Sequence, residues 1–367
     1  MRVLMVSSHH MGGRYFEDFA KGAMDSEIKL GFMWLSKDEP PKWIEEFGVQ
    51  NLKNRYLESR SLILQCVGGI YSIYKFKPDL IQTHLFRAGI LGILIGKIMR
   101  RPIILTRHHI TEHVEAGSKL HRTIDKHSAR IANFVIVFSI AAKKWLIDIE
   151  GIDPKKIFTI NQGFDFQKLS PTPGEILNAR RELGFSTSTF NLVCISRYSE
   201  TKGQRYLVEA IRELVPFIPE IKLVFVGPGE SEWLATIVHE LGLKDYIQLA
   251  GYNSDIPAYL AAADLVVHPS LVDAFSQLLI EAQGVGAPLV ATDIAAAREQ
   301  IIDGVTGIIV KERSSSELAD AINRLYLDRT LMVKLGTNAA RSVRERFSVG
   351  RMIEESQNCY SVVISKN

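Results

Sequence analysis

The sequence predicts an α/β chain in which a doubly wound parallel sheet is built twice. Its length, its strand rhythm and a restart of that rhythm near the middle carry the prediction. At 367 residues the chain exceeds what one hydrophobic core usually serves, so two domains are expected. Short β-branched runs alternate with longer helical patterns, the signature of parallel strands joined by helical crossovers. After the Pro- and Gly-containing segment 169–174 the alternation begins again.

In the first half the strand runs are residues 3–6, 28–35, 80–83, 103–106, 134–138 and 157–160. In the second they are 192–195, 223–226, 247–249, 265–267, 289–291 and 308–310. The most apolar helical pattern, 85–99, contains Arg87 and Lys97 with nine uncharged residues between them, too few to span a bilayer. It is expected to lie against a sheet. The repetition implies two Rossmann-like domains facing a cleft, with ligands collected at the carboxyl ends of strands. Segment 164–174 is the expected hinge.

An apolar fraction of 46% with 23% charged residues is that of a soluble globular protein. The net charge of +3 hides an asymmetry: residues 1–165 hold 24 Lys/Arg against 17 Asp/Glu, and the remainder holds 20 against 24. A basic first half fits an acidic acceptor or an anionic membrane surface, and a solvated charged face is the plainer reading. No basic stripe is interleaved with stacking aromatics, so nucleic acid is not expected as a partner. Cys66, Cys194 and Cys359 are odd in number and sit in apolar patterns, which reads as reduced core residues of a cytoplasmic protein. Met1 leads straight into a strand with no leader pattern before it. A peripheral position on the inner face of a membrane is compatible with these features.

The most informative stretch is 263–310. Asp273 and Glu281 stand eight positions apart across a loop-to-helix junction between two buried strands. Eight helical residues rise about 12 Å, roughly the length of a nucleoside diphosphate sugar from its sugar ring to its ribose. Backbone N–H groups of Phe275, Ser276 and Gln277 would lie between the two acids, where a helix start favours a diphosphate. The spacing therefore suggests an activated sugar as ligand. The plainer readings are a helix N-cap for Asp273 and a solvated helix position for Glu281.

Other polar clusters follow strands in both halves. Ser7 to Gly13 ends in Gly12 and Gly13, which allow backbone to pass close to a ligand or form a simple turn. His108, in Thr106-Arg107-His108-His109, is placed to hydrogen-bond a sugar hydroxyl or polarise a reacting group, although a lone histidine is more often structural. Arg197 and Lys202 offer a fork of donors and a compact charge for a diphosphate; taken singly they read as surface cations. Gly227 and Gly229 form a glycine turn, but Glu232 stands where a dinucleotide fingerprint needs its last glycine. No Walker A sequence is present, so NAD and ATP-hydrolysing readings lack support.

Taken in order, these fragments resemble the retaining glycosyltransferases of family 4 (glycosyl transferases group 1), which have the GT-B fold, over nearly the whole chain. Arg197 and Lys202-Gly203 match that family's Arg and Lys ahead of a glycine. Phe225-Val226-Gly227-Pro228-Gly229 matches its Val-Gly-x-Gly strand end. Ala263-Asp264 and Pro269-Ser270 match the next strand, and Glu281 with Gly286-Ala287-Pro288-Leu289-Val290-Ala291-Thr292 matches its Glu-x7-Glu motif and the strand beyond. In the first half Lys77-Pro78-Asp79, the strand ending in Thr106-Arg107-His108, and Ala132-Asn133 resemble the same family. The tail from Arg346 resembles its terminal helix, which crosses back to the first domain.

The resemblance implies transfer of a sugar, with retention, from a UDP- or GDP-sugar to a hydroxyl of a glycan or lipid-linked acceptor, in cell-surface polysaccharide or lipopolysaccharide synthesis. Residues 1–165 with the terminal helix 347–367 would bind acceptor, and 175–346 would bind donor. Arg197 and Lys202 would stabilise the departing diphosphate, Glu281 would hold the ribose, and Asp273 with His108 would hold the donor sugar. Gly12 and Gly13 would border the diphosphate and the acceptor, and Gly227, Gly229, Phe275, Ser276 and Gln277 would border the nucleotide. The family needs no catalytic metal, and no ligand cluster with metal spacing appears, so no cofactor is expected beyond the donor substrate. Acceptor recognition is expected from segments 12–19, 42–60 and 110–130.

The sequence departs from the family pattern in three places. Asp273 replaces the first glutamate of Glu-x7-Glu with Ser276 in place of a usual glycine, Ala295 to Ala297 fill a loop with usual paired glycines before Glu299, and Gln162 stands for an asparagine. None removes an expected charge. A sugar-nucleotide epimerase or hydrolase of the same architecture and a non-catalytic partner subunit are the alternatives.

Overall fold

Each strand run read from the sequence forms a strand, and all pair in parallel. The structure, a computed structural model, describes residues 1–9, 14–107 and 119–366. In it the strands β1 (Arg2–Ser7), β2 (Lys29–Trp34), β3 (Gln50–Asn51), β4 (Leu80–His84), β5 (Ile103–Arg107), β6 (Phe134–Val137) and β7 (Ile157–Thr159) form one sheet in the order β3-β2-β1-β4-β5-β6-β7. A second sheet comprises β8 (Phe190–Ile195), β9 (Ile221–Val226), β10 (Ile247–Gly251), β11 (Leu265–His268), β12 (Leu289–Thr292) and β13 (Ile308–Val310), in the order β10-β9-β8-β11-β12-β13. The chain divides into one compact unit of Met1–Phe164 with Phe347–Asn367 and another of Asp165–Arg346.

Both sheets are doubly wound for the same reason. From β1 the chain moves outward through β2 to β3, then returns past β1 to continue through β4 on the other side. Right-handed crossovers in opposite directions place their helices on opposite faces. Buried on both faces, the central strands lose their polar alternation: all of β4 is buried, including Gln82, Thr83 and His84. Helices Leu62–Phe76, Phe86–Ile98 and Lys119–Ile131 pack side by side in one layer of the first unit.

Strand starts are secured by one device used three times. A side chain just before a strand accepts a backbone N–H from the first or second residue of its neighbour. Asp79 Oδ2 accepts from Arg2 N at 2.7 Å, Asn133 Oδ1 from Ile103 N at 3.0 Å, and Asp264 Oδ2 from Asn191 N at 2.8 Å. Each satisfies a donor at the sheet margin that would otherwise lack a partner. The Lys-Pro-Asp, Ala-Asn and Ala-Asp fragments of the family pattern thus serve strand register, at the end of the sheet opposite the loops that carry chemistry.

The terminal helix Val349–Ser365 packs on Arg14–Met24 within the first unit. Ser348 caps it, accepting from Arg351 N, and Phe164 N donates to Phe347 O at 2.9 Å. The Tyr360 hydroxyl hydrogen-bonds Gln82 Oε1, and Gln82 Nε2 donates to Thr106 Oγ1 at 2.9 Å. Burial pushes the Tyr360 hydroxyl pKa well up, so it stays a protonated donor. This polar network joins the tail to β4 and β5.

Four local expectations change. Pro173 and Gly174, read as linker punctuation, open the helix Pro173–Glu182, with Thr172 and Glu175 closing a capping box. Ala295 to Ala297 form the first turn of the helix Ala295–Gln300 rather than a loop, because alanine favours helix where glycine would not. Tyr15, Phe16 and Phe19, in a segment expected to meet acceptor, are buried core. The edge strand β3 escaped the reading because two polar residues make no apolar run. Cys194 and Cys359 are buried and Cys66 partly so, all without disulfides, and burial pushes the Cys194 and Cys359 thiols up to about 12.

Candidate active site

In the second unit the strand order reverses between β8 and β11. At such a switch point the loops leaving the two strands diverge and open a crevice at their carboxyl ends. The loop after β8 carries Arg197 and the short 3-10 helix Glu200–Lys202. The loop after β11 carries Asp273 and leads into the helix Gln277–Gly284.

Backbone contacts hold the loops together. Leu271 N donates to Thr201 O at 2.9 Å, and the Thr292 hydroxyl donates to Ser270 O. Gly203 adopts φ +65°, and a Cβ there would stand 2.0 Å from the Pro269 carbonyl oxygen. Only glycine meets both demands. The turn after β9 closes in likewise: a Cβ on Gly227 would stand 2.0 Å from Ser196 O, and Tyr198 N donates to Pro228 O at 2.9 Å. Gly229 lies against the Arg197 side chain.

Lys202 Nζ meets Asp273 Oδ2 at 3.2 Å, with both side chains about one-fifth exposed, at 21% and 22%. The pair spans the switch point. Asp273 is also tied through its carbonyl, which accepts from Ala296 N at 3.1 Å, so the new helix turn at Ala295 steadies the acid. Arg197 is exposed at the surface of the same crevice, its carbonyl accepting from Gln204 Nε2 at 2.9 Å.

Asp273 and Glu281 are not separated by eight helical residues. Helix begins at Gln277, so only the second half of the interval is helical and the 12 Å estimate does not apply. Ser276 is the N-cap and Asp273 is not, which removes the capping reading of Asp273. Ser276 N donates to the buried Gln300 Oε1 at 3.3 Å, so this N–H is committed within the fold rather than presented to a ligand. Glu281 stands in the second turn of the helix, and Phe275 and Gln277 flank the cap.

One residue escaped the sequence reading. His268, the last of β11, is buried with no hydrogen-bond partner for Nε2. A strand pattern hides it as an interior position. Burial lowers its pKa to about 4 from 6.5; Asp273 opposes this and Lys202 adds to it. His268 is therefore neutral beneath the ion pair at neutral pH. In the unfolded chain it takes a proton near 6.5, so between 6.5 and about 4 the unfolded state binds the extra proton. Its contribution to stability is whole above pH 6.5 and is lost as pH falls toward 4, a loss on the order of 3 kcal/mol. His268→Gln should flatten that slope when urea midpoints near neutral pH and in mild acid are compared. Parallel slopes for the two proteins would refute the assignment.

In the first unit Arg107 is committed to structure, with Nη1 2.9 Å from Asp125 and Nη2 3.0 Å from Glu150. It anchors the end of β5. His108, Gly12 and Gly13 lie outside the described residues.

Residues 14–168 match the family described as Glycosyltransferase Family 4, and residues 175–342 match Glycosyl transferases group 1. The chain belongs to the family 4 glycosyltransferases. This glycosyltransferase is 30% identical over 283 residues to D-inositol 3-phosphate glycosyltransferase of Pseudarthrobacter chlorophenolicus, covering 71% of this chain and 66% of the relative. It is 23% identical over 317 residues to the Escherichia coli UDP-Gal:alpha-D-GlcNAc-diphosphoundecaprenol alpha-1,3-galactosyltransferase, covering 83% and 82%. The structure of Anabaena HepE (Alr3699), solved in complex with UDP, superposes with a TM-score of 0.84 at 25% identity over 99% of this chain and all (100%) of that one. The glycosyltransferase has the GT-B architecture of those neighbours, two Rossmann-like parallel-sheet domains, as the motif order implied. Among its described residues no helix is long and apolar enough to cross a membrane.

Proposed function

We propose that this glycosyltransferase takes its sugar from a UDP-sugar and transfers it, with retention, to a hydroxyl of a lipid-linked or glycan acceptor in cell-surface polysaccharide synthesis. The observation that carries the reading is the Lys202–Asp273 pair at the β8/β11 switch point, beside the turn Gly227 to Gly229. In this reading Lys202 and Arg197 take the diphosphate charge that builds as the bond to the sugar breaks. Asp273, released from Lys202, turns to a sugar hydroxyl, and Glu281 holds the ribose. Leaving-group stabilisation thus comes from side chains, without a metal. UDP is favoured because HepE was solved with UDP and with UDP-glucose, and the undecaprenol-linked relative is a UDP-galactose enzyme. The same relative favours a lipid-linked acceptor.

Calorimetric titration with UDP, GDP and ADP tests the donor site. UDP should bind with micromolar affinity, and Glu281→Ala should weaken it by about tenfold or more, as expected for loss of a charge-assisted hydrogen bond worth about 1.5–3 kcal/mol. Binding of no nucleotide by well-folded protein would sink the donor assignment. Preference for GDP would keep the site and change the donor.

A further inference from the structure

The helix Leu62–Phe76 is apolar on the side where a surface helix should be polar. Its sequence, LILQCVGGIYSIYKF, contains no acid and one cation, Lys75. Gln65, Gly68, Gly69 and Ser72 are buried with Ile73 and Phe76, so small and polar residues go inward. Ile63, Val67, Tyr71 and Tyr74 stay outside, Ile63 exposed to 76% and Tyr74 to 73%. Their spacing of four, four and three places them in one stripe along the outer surface. On the other two helices of the layer Leu94, Ile98 and Leu120 are exposed as well.

Charge decides what such a face can meet. The three side-by-side helices Leu62–Phe76, Phe86–Ile98 and Lys119–Ile131 together hold seven Lys/Arg, among them Lys75, Arg87, Lys97 and Arg122. Their one acid, Asp125, is buried against Arg107. A second copy of this chain would bring the same cations against themselves across a two-fold axis. An anionic bilayer surface matches both halves of the pattern, lipid headgroups taking the cations and the acyl boundary taking the apolar stripe. Tyrosines such as Tyr71 and Tyr74 favour that boundary depth.

We propose that this three-helix layer is a docking face for an anionic lipid bilayer, with Ile63, Val67, Tyr71 and Tyr74 entering the interface. Crossover helices run antiparallel to the strands they join, so Leu62, Ile63 and Leu64, at the helix start, lie toward the carboxyl ends of β4 and β5. A lipid-borne acceptor would be presented along that edge. The purpose of docking rests on the lipid-linked acceptor proposed above, whereas the binding itself needs no turnover.

Flotation of the full chain with vesicles of phosphatidylcholine alone, or mixed with phosphatidylglycerol, tests it. The protein should float with the mixed vesicles and much less with neutral ones, and added salt should weaken binding without abolishing it. Ile63→Glu with Tyr74→Glu should lower the partition constant at least about tenfold, with unchanged thermal unfolding and UDP titration. Ile63→Ser with Tyr74→Ser provides a milder pair if the glutamates impair folding. Arg87→Glu with Lys97→Glu should remove the preference for anionic lipid. Absence of binding to mixed vesicles at low salt would overturn the proposal, as would wild-type binding by the folded double variants. So would a concentration-dependent dimer in sedimentation that those variants dissolve. The UDP titration separates this failure from failure of the donor site.

Discussion

Lys202→Met should lower turnover at saturating donor by about 10²–10³-fold, the usual loss when one charge-stabilising donor is removed from a developing anion. The ion pair supplies a sharper test. Lys202 is held by Asp273 at 3.2 Å, so a diphosphate must compete with that carboxylate for the same ammonium. Asp273→Asn should therefore slow transfer while tightening the binding of bare UDP several-fold, because a partly exposed pair is worth about 1 kcal/mol or less. Lys202→Met should slow transfer and weaken UDP. If Lys202 only positions Asp273, the two variants will bind UDP alike, and that result in calorimetry would remove Lys202 from the diphosphate.

Gly203→Ala should destabilise the second unit by roughly 2–5 kcal/mol, combining a left-handed backbone forced on a residue with a Cβ and overpacking against backbone. The overlap with Pro269 O at 2.0 Å involves no flexible side chain that can move aside. Relief must come from the loop 269–276, which carries Asp273, so activity should fall even in the fraction that folds. Urea unfolding and initial rates at equal folded concentration measure the two effects separately. An unchanged midpoint and an unchanged rate would show that the loop has slack that the close approach denies.

The sequence was most legible where chemistry and chain geometry coincide. Parallel strands buried on both faces must be short apolar runs, so their number and order along the chain could be read, and the Gly227 to Gly229 turn marked a place where backbone can approach a ligand. It was least legible where one residue type serves two ends. Asp79, Asn133 and Asp264 stand at motif positions just as Asp273 does. Contact geometry shows the first three accepting N–H groups near strand starts and only the fourth meeting a cation at the switch point.

By itself, then, the sequence determined the α/β class, the two sheets, the family and the set of charges available for chemistry, because these follow from periodicity, composition and motif order along the chain. The tertiary structure alone decided that Lys202 and Asp273, 71 positions apart, form one pair. It alone decided that Ser276 N–H is spent on Gln300, that His268 lies neutral beneath the pair, and that the apolar stripe of Leu62–Phe76 points outward. Each depends on which side of an element faces a distant neighbour. Local pattern states that a side chain is apolar or charged, but the partner that gives it a role is brought by the fold.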